Sequence, residues 1–173
     1  MKAYLPYYYY ALFTEVLTGI KLDAFEQNIN SRCNELKKYL EAVSDRRYEI
    51  MGTESSFKML GDYFKEPTES IIVSEAELGS LVLPKTPVMI SVGEGNDARY
   101  IISVDGTVIR EVTDLTDAVK AMFITYLNFD IKYDPKLTNS FEFFQRFMVK
   151  YHDDRTKTPG KVMRLAKALA NHI

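Results

Sequence analysis

The stretch ARYIISVDGTVIREV, residues 98–112, decides the fold class of this chain. It contains two runs rich in β-branched residues on either side of the dipeptide Asp105-Gly106. An Asp-Gly pair between such runs is a strong hairpin signal, because both residues tolerate the positive φ angles of a tight two-residue turn. We therefore predict an antiparallel hairpin here.

A third β-rich run, residues 87–92, precedes the hairpin and is separated from it by the polar, glycine-containing segment 93–97. The three runs together predict a three-stranded antiparallel meander. The short apolar run at residues 71–73 is a weaker candidate for a fourth strand.

The residues before these strands have a helical period. Residues 5–18 are apolar on most sides, and Gly19 ends that segment. From the predicted N-cap Asp23, one apolar stripe continues for about six turns, which fits either a core face or a seam to another chain. The stripe consists of Phe25, Ile29, Cys33, Leu36, Leu40 and Val43. A further helix is expected over residues 54–65, capped by Thr53 and ended by Pro67.

Helical periodicity returns after the strands. Thr113 or Asp114 is expected to cap a helix that reaches residue 127, and a loop over residues 128–135 follows. Aromatic residues between 141 and 151 indicate another amphipathic helix. The predicted fold class is thus α+β: N-terminal helices, the meander, then C-terminal amphipathic helices. We assign residues 1–151 to a single α+β domain and residues 152–173 to a basic linker with a short helix.

Composition excludes several classes of protein. Of the 173 residues 46% are hydrophobic and the net charge is −2, so the chain is neither disordered nor globally basic. The N-terminal apolar run is too aromatic and too short for a signal peptide or a membrane span. We therefore predict an intracellular protein without membrane contact, with the nucleus as one option.

The residues that carry metal or nucleophilic chemistry are scarce. His152 and His172 have no second His or Cys at ligand spacing, and Cys33 belongs to the apolar stripe. Gly93-Glu94-Gly95 follows a strand, but it lacks the third glycine and the helix of a phosphate-binding loop. We predict no catalytic residue, no metal site and no cofactor.

One pair of carboxylates is a remote alternative. Asp105 and Glu111 lie on adjacent predicted strands, as the metal ligands of some metal-dependent nucleases do. Such chemistry needs carboxylates that converge on one point. The hairpin turn already explains Asp105, so a nuclease is the least favoured hypothesis.

Charge is distributed unevenly along the chain. From residue 145 onward there are seven basic and two acidic residues, a net charge of +5, so the remainder carries −7. A solvated helix face is the simplest explanation, while a protein partner and nucleic acid are the alternatives. The residues assigned to nucleic-acid contact are Arg155, Lys157, Lys161, Arg164 and Lys167.

The N-terminal aromatic residues support the leading hypothesis, a non-enzymatic interaction domain that self-associates. Aromatic side chains are enriched in the cores of protein interfaces. We therefore expect a homo-oligomer or another protein partner, bound through Tyr7, Tyr8, Tyr9, Tyr10 and Phe13.

Residues 83–93, LPKTPVMISVG, resemble an LPxTPxIIxxG pattern found in a large group of uncharacterised predicted proteins from fishes and invertebrates. Further counterparts follow in the same order. They are Ser103-Val104-Asp105, the segment 122–133, Glu142-Phe143-Phe144-Gln145-Arg146 and the basic segment 157–161.

This resemblance spans about residues 60–165 and departs from the pattern at Met89 and at Asp134-Pro135. It implies a shared fold rather than an activity, since no chemistry is assigned to the group. The many gene copies of such proteins in animals suggest a link with mobile elements.

Overall fold

A computed structural model describes residues 15, 19, 21–44, 47–48, 53–80, 82–93, 97–152 and 157–172. The chain divides into two compact units. The described elements of the sheet unit lie within Glu69–Tyr133, and those of the helical unit within Ile20–Thr68 and Asp134–Ile173. Helices and a sheet are both present, which confirms the α+β class. The predicted boundary between residues 151 and 152 stays a prediction.

The sheet has four strands in the order β1-β2-β3-β4. They are β1 (Ile72–Ser74), β2 (Val88–Val92), β3 (Arg99–Val104) and β4 (Thr107–Val112). β2, β3 and β4 are antiparallel neighbours, whereas β1 pairs with β2 in parallel. The prediction of a three-stranded antiparallel meander is therefore wrong for the sheet as a whole, which is mixed. A connection long enough to cross over separates β1 from β2, and such a connection permits a parallel pair.

The hairpin between β3 and β4 forms at the predicted dipeptide. Val104 pairs with Thr107, so Asp105 and Gly106 alone make the turn, with φ angles of 49° and 74°. Positive φ at both positions is the geometry that favours an Asp-Gly sequence. The register shifts once, between Ile102 and Ser103.

Helix α3 (Leu115–Asn128) packs against β2, β3 and β4 within the sheet unit. Its N-cap is Asp114, whose side chain accepts a hydrogen bond from the amide of Asp117 at 2.9 Å, in agreement with the sequence. This helix buries more than one narrow stripe, because Ala121 and Thr125 are buried as well as Met122 and Tyr126.

The described part of the helical unit contains four α-helices and one π-helical segment. The helices are α1 (Leu22–Val43), α2 (Thr53–Phe64), α4 (Thr138–Phe143) and α5 (Gly160–His172), and the π segment (Phe144–Met148) continues α4. α1 packs against α2, the π segment and α5, while α4 packs against α2 and α5. The N-cap of α1 is Lys21 rather than the predicted Asp23, which lies inside the helix.

The apolar stripe of α1 is a core face of this unit. Ile29, Cys33, Leu36 and Leu40 are all buried. Val43, the last residue of the predicted stripe, is instead exposed at the end of the helix. Burial within the chain favours the core interpretation over an intermolecular seam for these four positions.

Glu66 joins the two segments of the helical unit. Its carboxylate accepts hydrogen bonds from the backbone amides of Asn139 and Ser140 at 2.9 and 2.8 Å and from the Asn139 side-chain amide. These amides belong to the first turn of α4, where a helix leaves its N–H groups without intrahelical partners. A residue 73 positions away therefore caps α4.

No helix in the described part of the chain is both long enough and apolar enough to cross a membrane.

Candidate functional site

A surface groove of about 330 Å³ lies between the end of α2 and the start of α5 in the helical unit. We call it the basic groove. Three of its five lining side chains are cationic and exposed, and the other two are aromatic. The lining residues are Tyr63, Phe64, Lys65, Lys161 and Arg164.

Local backbone geometry places these cations. α2 ends at Phe64, and Lys65 follows it in the left-handed conformation with φ 59°, which turns the chain sharply. On α5, Val162 and Leu165 are fully buried. Since a helix turns by about 100° per residue, burying these two residues leaves Lys161 and Arg164 on the solvent side.

The groove is electrostatically positive. Within the described part of the chain, Lys65, Lys161 and Arg164 form no ion pair. The lining contains no acidic residue. The carboxylates of Asp62 and Glu66, which flank Lys65 in sequence, accept hydrogen bonds from the Tyr48 hydroxyl and from amides at the start of α4, and neither lines the groove. The three lining cations can therefore attract an anion.

Tyr63 adds an aromatic surface beside the cations. Its side chain is 36% exposed, and its ring contacts Phe64 edge to face with centroids 5.1 Å apart. Burial raises the pKa of Tyr39 above its usual value, and the nearby Tyr63 phenol adds to that rise. The Tyr39 phenol consequently stays neutral in the physiological range.

The structure brings together part of the predicted nucleic-acid set. Lys161 and Arg164 line the basic groove, whereas Lys157 and Lys167 are exposed but do not line it. Arg155 lies outside the described residues. Tyr63 and Lys65 were not predicted, because no local pattern relates the end of α2 to a helix that begins almost a hundred residues later.

One of the seven basic residues counted from position 145 onward is not on the surface. Arg146 is only 6% exposed, and its Nε donates to Glu142 Oε2 at 2.7 Å. This buried ion pair contributes nothing to a basic surface. The other predicted interaction surface, formed by Tyr7, Tyr8, Tyr9, Tyr10 and Phe13, lies outside the described residues.

The carboxylates of the nuclease hypothesis do not converge. Asp105 is in the hairpin turn, whereas Glu111 pairs with Arg99 at 2.9 Å near the other end of the hairpin. Glu111 lies four residues after Thr107 along the strand, a rise of about 13 Å. The described residues contain no cluster of three or more His, Cys, Asp or Glu side chains able to hold a metal ion.

Comparisons with protein-family models, with curated proteins and with solved structures find no match to this chain. The resemblance quoted from residues 83–93 stays a prediction. In the structure, its Glu142–Arg146 counterpart covers the junction of α4 and the π segment, where all five side chains are buried.

Proposed function

From the arrangement of the basic groove, we propose that the chain is a non-enzymatic module that binds single-stranded nucleic acid. The observation that carries this proposal is the convergence of Lys65, Lys161 and Arg164 around the exposed Tyr63. Cations that track the phosphates and an aromatic ring on which a base stacks are the two parts of a single-strand site. A duplex hides its base faces, so Tyr63 favours an unpaired strand.

The net charge of −2 also fits a local rather than a global contact. Three phosphate contacts to a single strand give a salt exponent of about −2. Affinity should then fall about 20-fold between roughly 50 and 200 mM salt. If the protein bound nucleic acid through its overall charge, the affinity would not depend on these three residues in particular.

Reversing two groove charges should abolish most of this binding. We expect the variant Lys161→Glu/Arg164→Glu to bind a fluorescent oligothymidine about 100-fold more weakly at low salt, because each charge-assisted hydrogen bond contributes about 1.5 kcal/mol or more. Fluorescence anisotropy at two salt concentrations measures both the affinity and its salt exponent. The exponent should become smaller in magnitude by more than one unit.

A matched control variant distinguishes the effect of charge in the basic groove from the effect of the protein's net charge. Lys132→Glu/Lys136→Glu changes two exposed lysines that do not line the basic groove and alters the net charge by the same amount. This control should bind within about twofold of the wild type at moderate salt, where the Debye length is about 10 Å. Equal losses in both double variants would contradict a site in the basic groove.

The tyrosine provides an independent test of stacking. We expect Tyr63→Ala to weaken oligothymidine binding by about 5- to 100-fold, since stacking of one base contributes about 1–3 kcal/mol. Tyr63→Phe keeps the ring and should bind almost normally. If duplex DNA of the same length binds as tightly as the single strand, the proposed role of Tyr63 is wrong.

Self-association through Tyr7, Tyr8, Tyr9, Tyr10 and Phe13 is a second proposal, which rests on the sequence alone. It is compatible with nucleic-acid binding, because the basic groove uses other residues. Light scattering on a sizing column at low and high salt tests it. A monomer under both conditions would refute self-association.

A further inference from the structure

A second concave surface lies elsewhere in the helical unit, and the proposed nucleic-acid site does not use it. This cleft has a volume of about 340 Å³ and is lined by residues of α1, the α4–π junction and α5. Sites for small molecules start at about 300 Å³, so one small ligand would fill it. A π-helical segment is itself rare and is often found at functional sites.

The floor of the cleft is apolar. Leu36 and Met148 lie beneath it and are almost fully buried, so its accessible apolar surface comes from the half-buried Phe147 and from α5. Leu169 and Ala166 of α5 form the facing wall and are half-buried. A ligand chain placed here would lose water contact on most of its surface, which is favourable for an apolar group.

The cleft is lined by more positive than negative side chains. Arg32 pairs with Glu35 at 2.8 Å, and Arg146 pairs with Glu142 at 2.7 Å, so both guanidinium groups already face a carboxylate. The exposed Lys150 also lines the cleft and has no ion-pair partner among the described residues. Among the described residues, Lys150 is therefore the lining cation that no carboxylate faces.

Lys150 lies just after the π segment, two residues beyond Met148. Its φ is 65°, and the amide of the next residue, Tyr151, donates to the Gln145 carbonyl at 2.9 Å. Positive φ is uncommon for residues other than glycine, so a lysine at this position has a conformational cost. His152, exposed beside it, adds a ring N–H that can donate to an anion.

We propose that this cleft binds a small amphipathic carboxylate, with its apolar chain against Phe147, Ala166 and Leu169 and its carboxylate at Lys150. A single anionic head matches Lys150, the lining cation that has no carboxylate partner among the described residues. The apolar floor excludes fully polar anions, and the ammonium selects against neutral ligands of the same shape.

Isothermal titration calorimetry with octanoate tests the proposal. We expect a dissociation constant below about 1 mM for octanoate and at least about tenfold weaker binding of 1-octanol, because the charge-assisted contact is lost. Acetate, which has the charge without the chain, should give no measurable heat. Equal binding of octanoate and 1-octanol, or no binding of octanoate, would overturn the proposal.

Two variants locate the ligand in the cleft. Lys150→Asn removes the charge and keeps a residue that tolerates positive φ, and we expect about tenfold weaker octanoate binding. Ala170→Leu adds bulk at an exposed position of the lining and should weaken binding to a similar extent.

The matched controls are Lys136→Asn and Asn171→Leu, which change exposed residues outside the lining and should bind octanoate normally. If the cleft variants bind as well as these controls, octanoate binds elsewhere and the assignment of the cleft is wrong. The oligothymidine assay on the same cleft variants should give wild-type affinity, so the two sites can fail independently.

Discussion

Glu142→Ala should lower the free energy of unfolding by about 3–5 kcal/mol. Glu142 and Arg146 form an ion pair of 2.7 Å, with side chains only 11% and 6% exposed. Removing the carboxylate leaves the guanidinium in a poorly solvated position without its counter-charge. The cost of this change exceeds what the intact pair contributes, because a buried charge without its counter-charge must bear its own desolvation.

Urea unfolding, monitored by circular dichroism, measures this loss of stability. The control is a more exposed ion pair in the same helical unit. Arg32 and Glu35 are 2.8 Å apart with side chains 41% and 35% exposed. Glu35→Ala should cost no more than about 1 kcal/mol. The double variant Glu142→Leu/Arg146→Met should be more stable than Glu142→Ala, because it removes both charges together. A Glu142→Ala variant as stable as Glu35→Ala would refute the burial argument.

Phe57→Ala should destabilise the protein by a similar amount, about 3–5 kcal/mol. Phe57 is 2% exposed, and its ring centroid lies 5.1 Å from that of Phe141 and 4.7 Å from that of Phe144. Truncation therefore removes one ring from a cluster of three and leaves a cavity. The cost includes both the lost burial and the cavity that the neighbours cannot fill.

The same substitution at an exposed phenylalanine is the control for this cavity. Phe129 is 48% exposed, and Phe129→Ala should cost less than about 1 kcal/mol. Phe57→Leu retains most of the apolar volume and should fall between the two alanine variants. If Phe57→Ala and Phe129→Ala have the same denaturation midpoint, the aromatic cluster does not stabilise the fold.

Features with a local cause could be predicted from the sequence. The hairpin at Asp105-Gly106 forms where two residues with positive φ are needed, and α3 begins after the cap that Asp114 provides. The buried stripe of α1 follows from its helical spacing. In each case the information lies within a few consecutive turns or strands.

Features that depend on distant partners could not be predicted. The apolar run at residues 71–73 indicates a short strand, and β1 lies there, but no local signal indicates its parallel pairing with Met89, Ile90 and Ser91. The basic groove likewise needs Tyr63 and Lys65 beside a helix from the other end of the chain. Val43 shows the opposite error. It continues the apolar stripe in the sequence, but no other described part of the unit covers it, and it is exposed.

The order in which the ribosome delivers the chain matters because the helical unit is built from two separate segments. α1 and α2 are synthesised first, yet Phe57 and Glu66 meet their partners on α4 and the π segment only after the sheet unit between them has been made. The strands and α3 are complete once Tyr133 has left the exit tunnel. Domains generally fold as units in the order of their synthesis. We therefore expect the sheet unit to fold first, while the apolar surfaces that α1 and α2 bury against α4, the π segment and α5 remain uncovered on the nascent chain and available to chaperones.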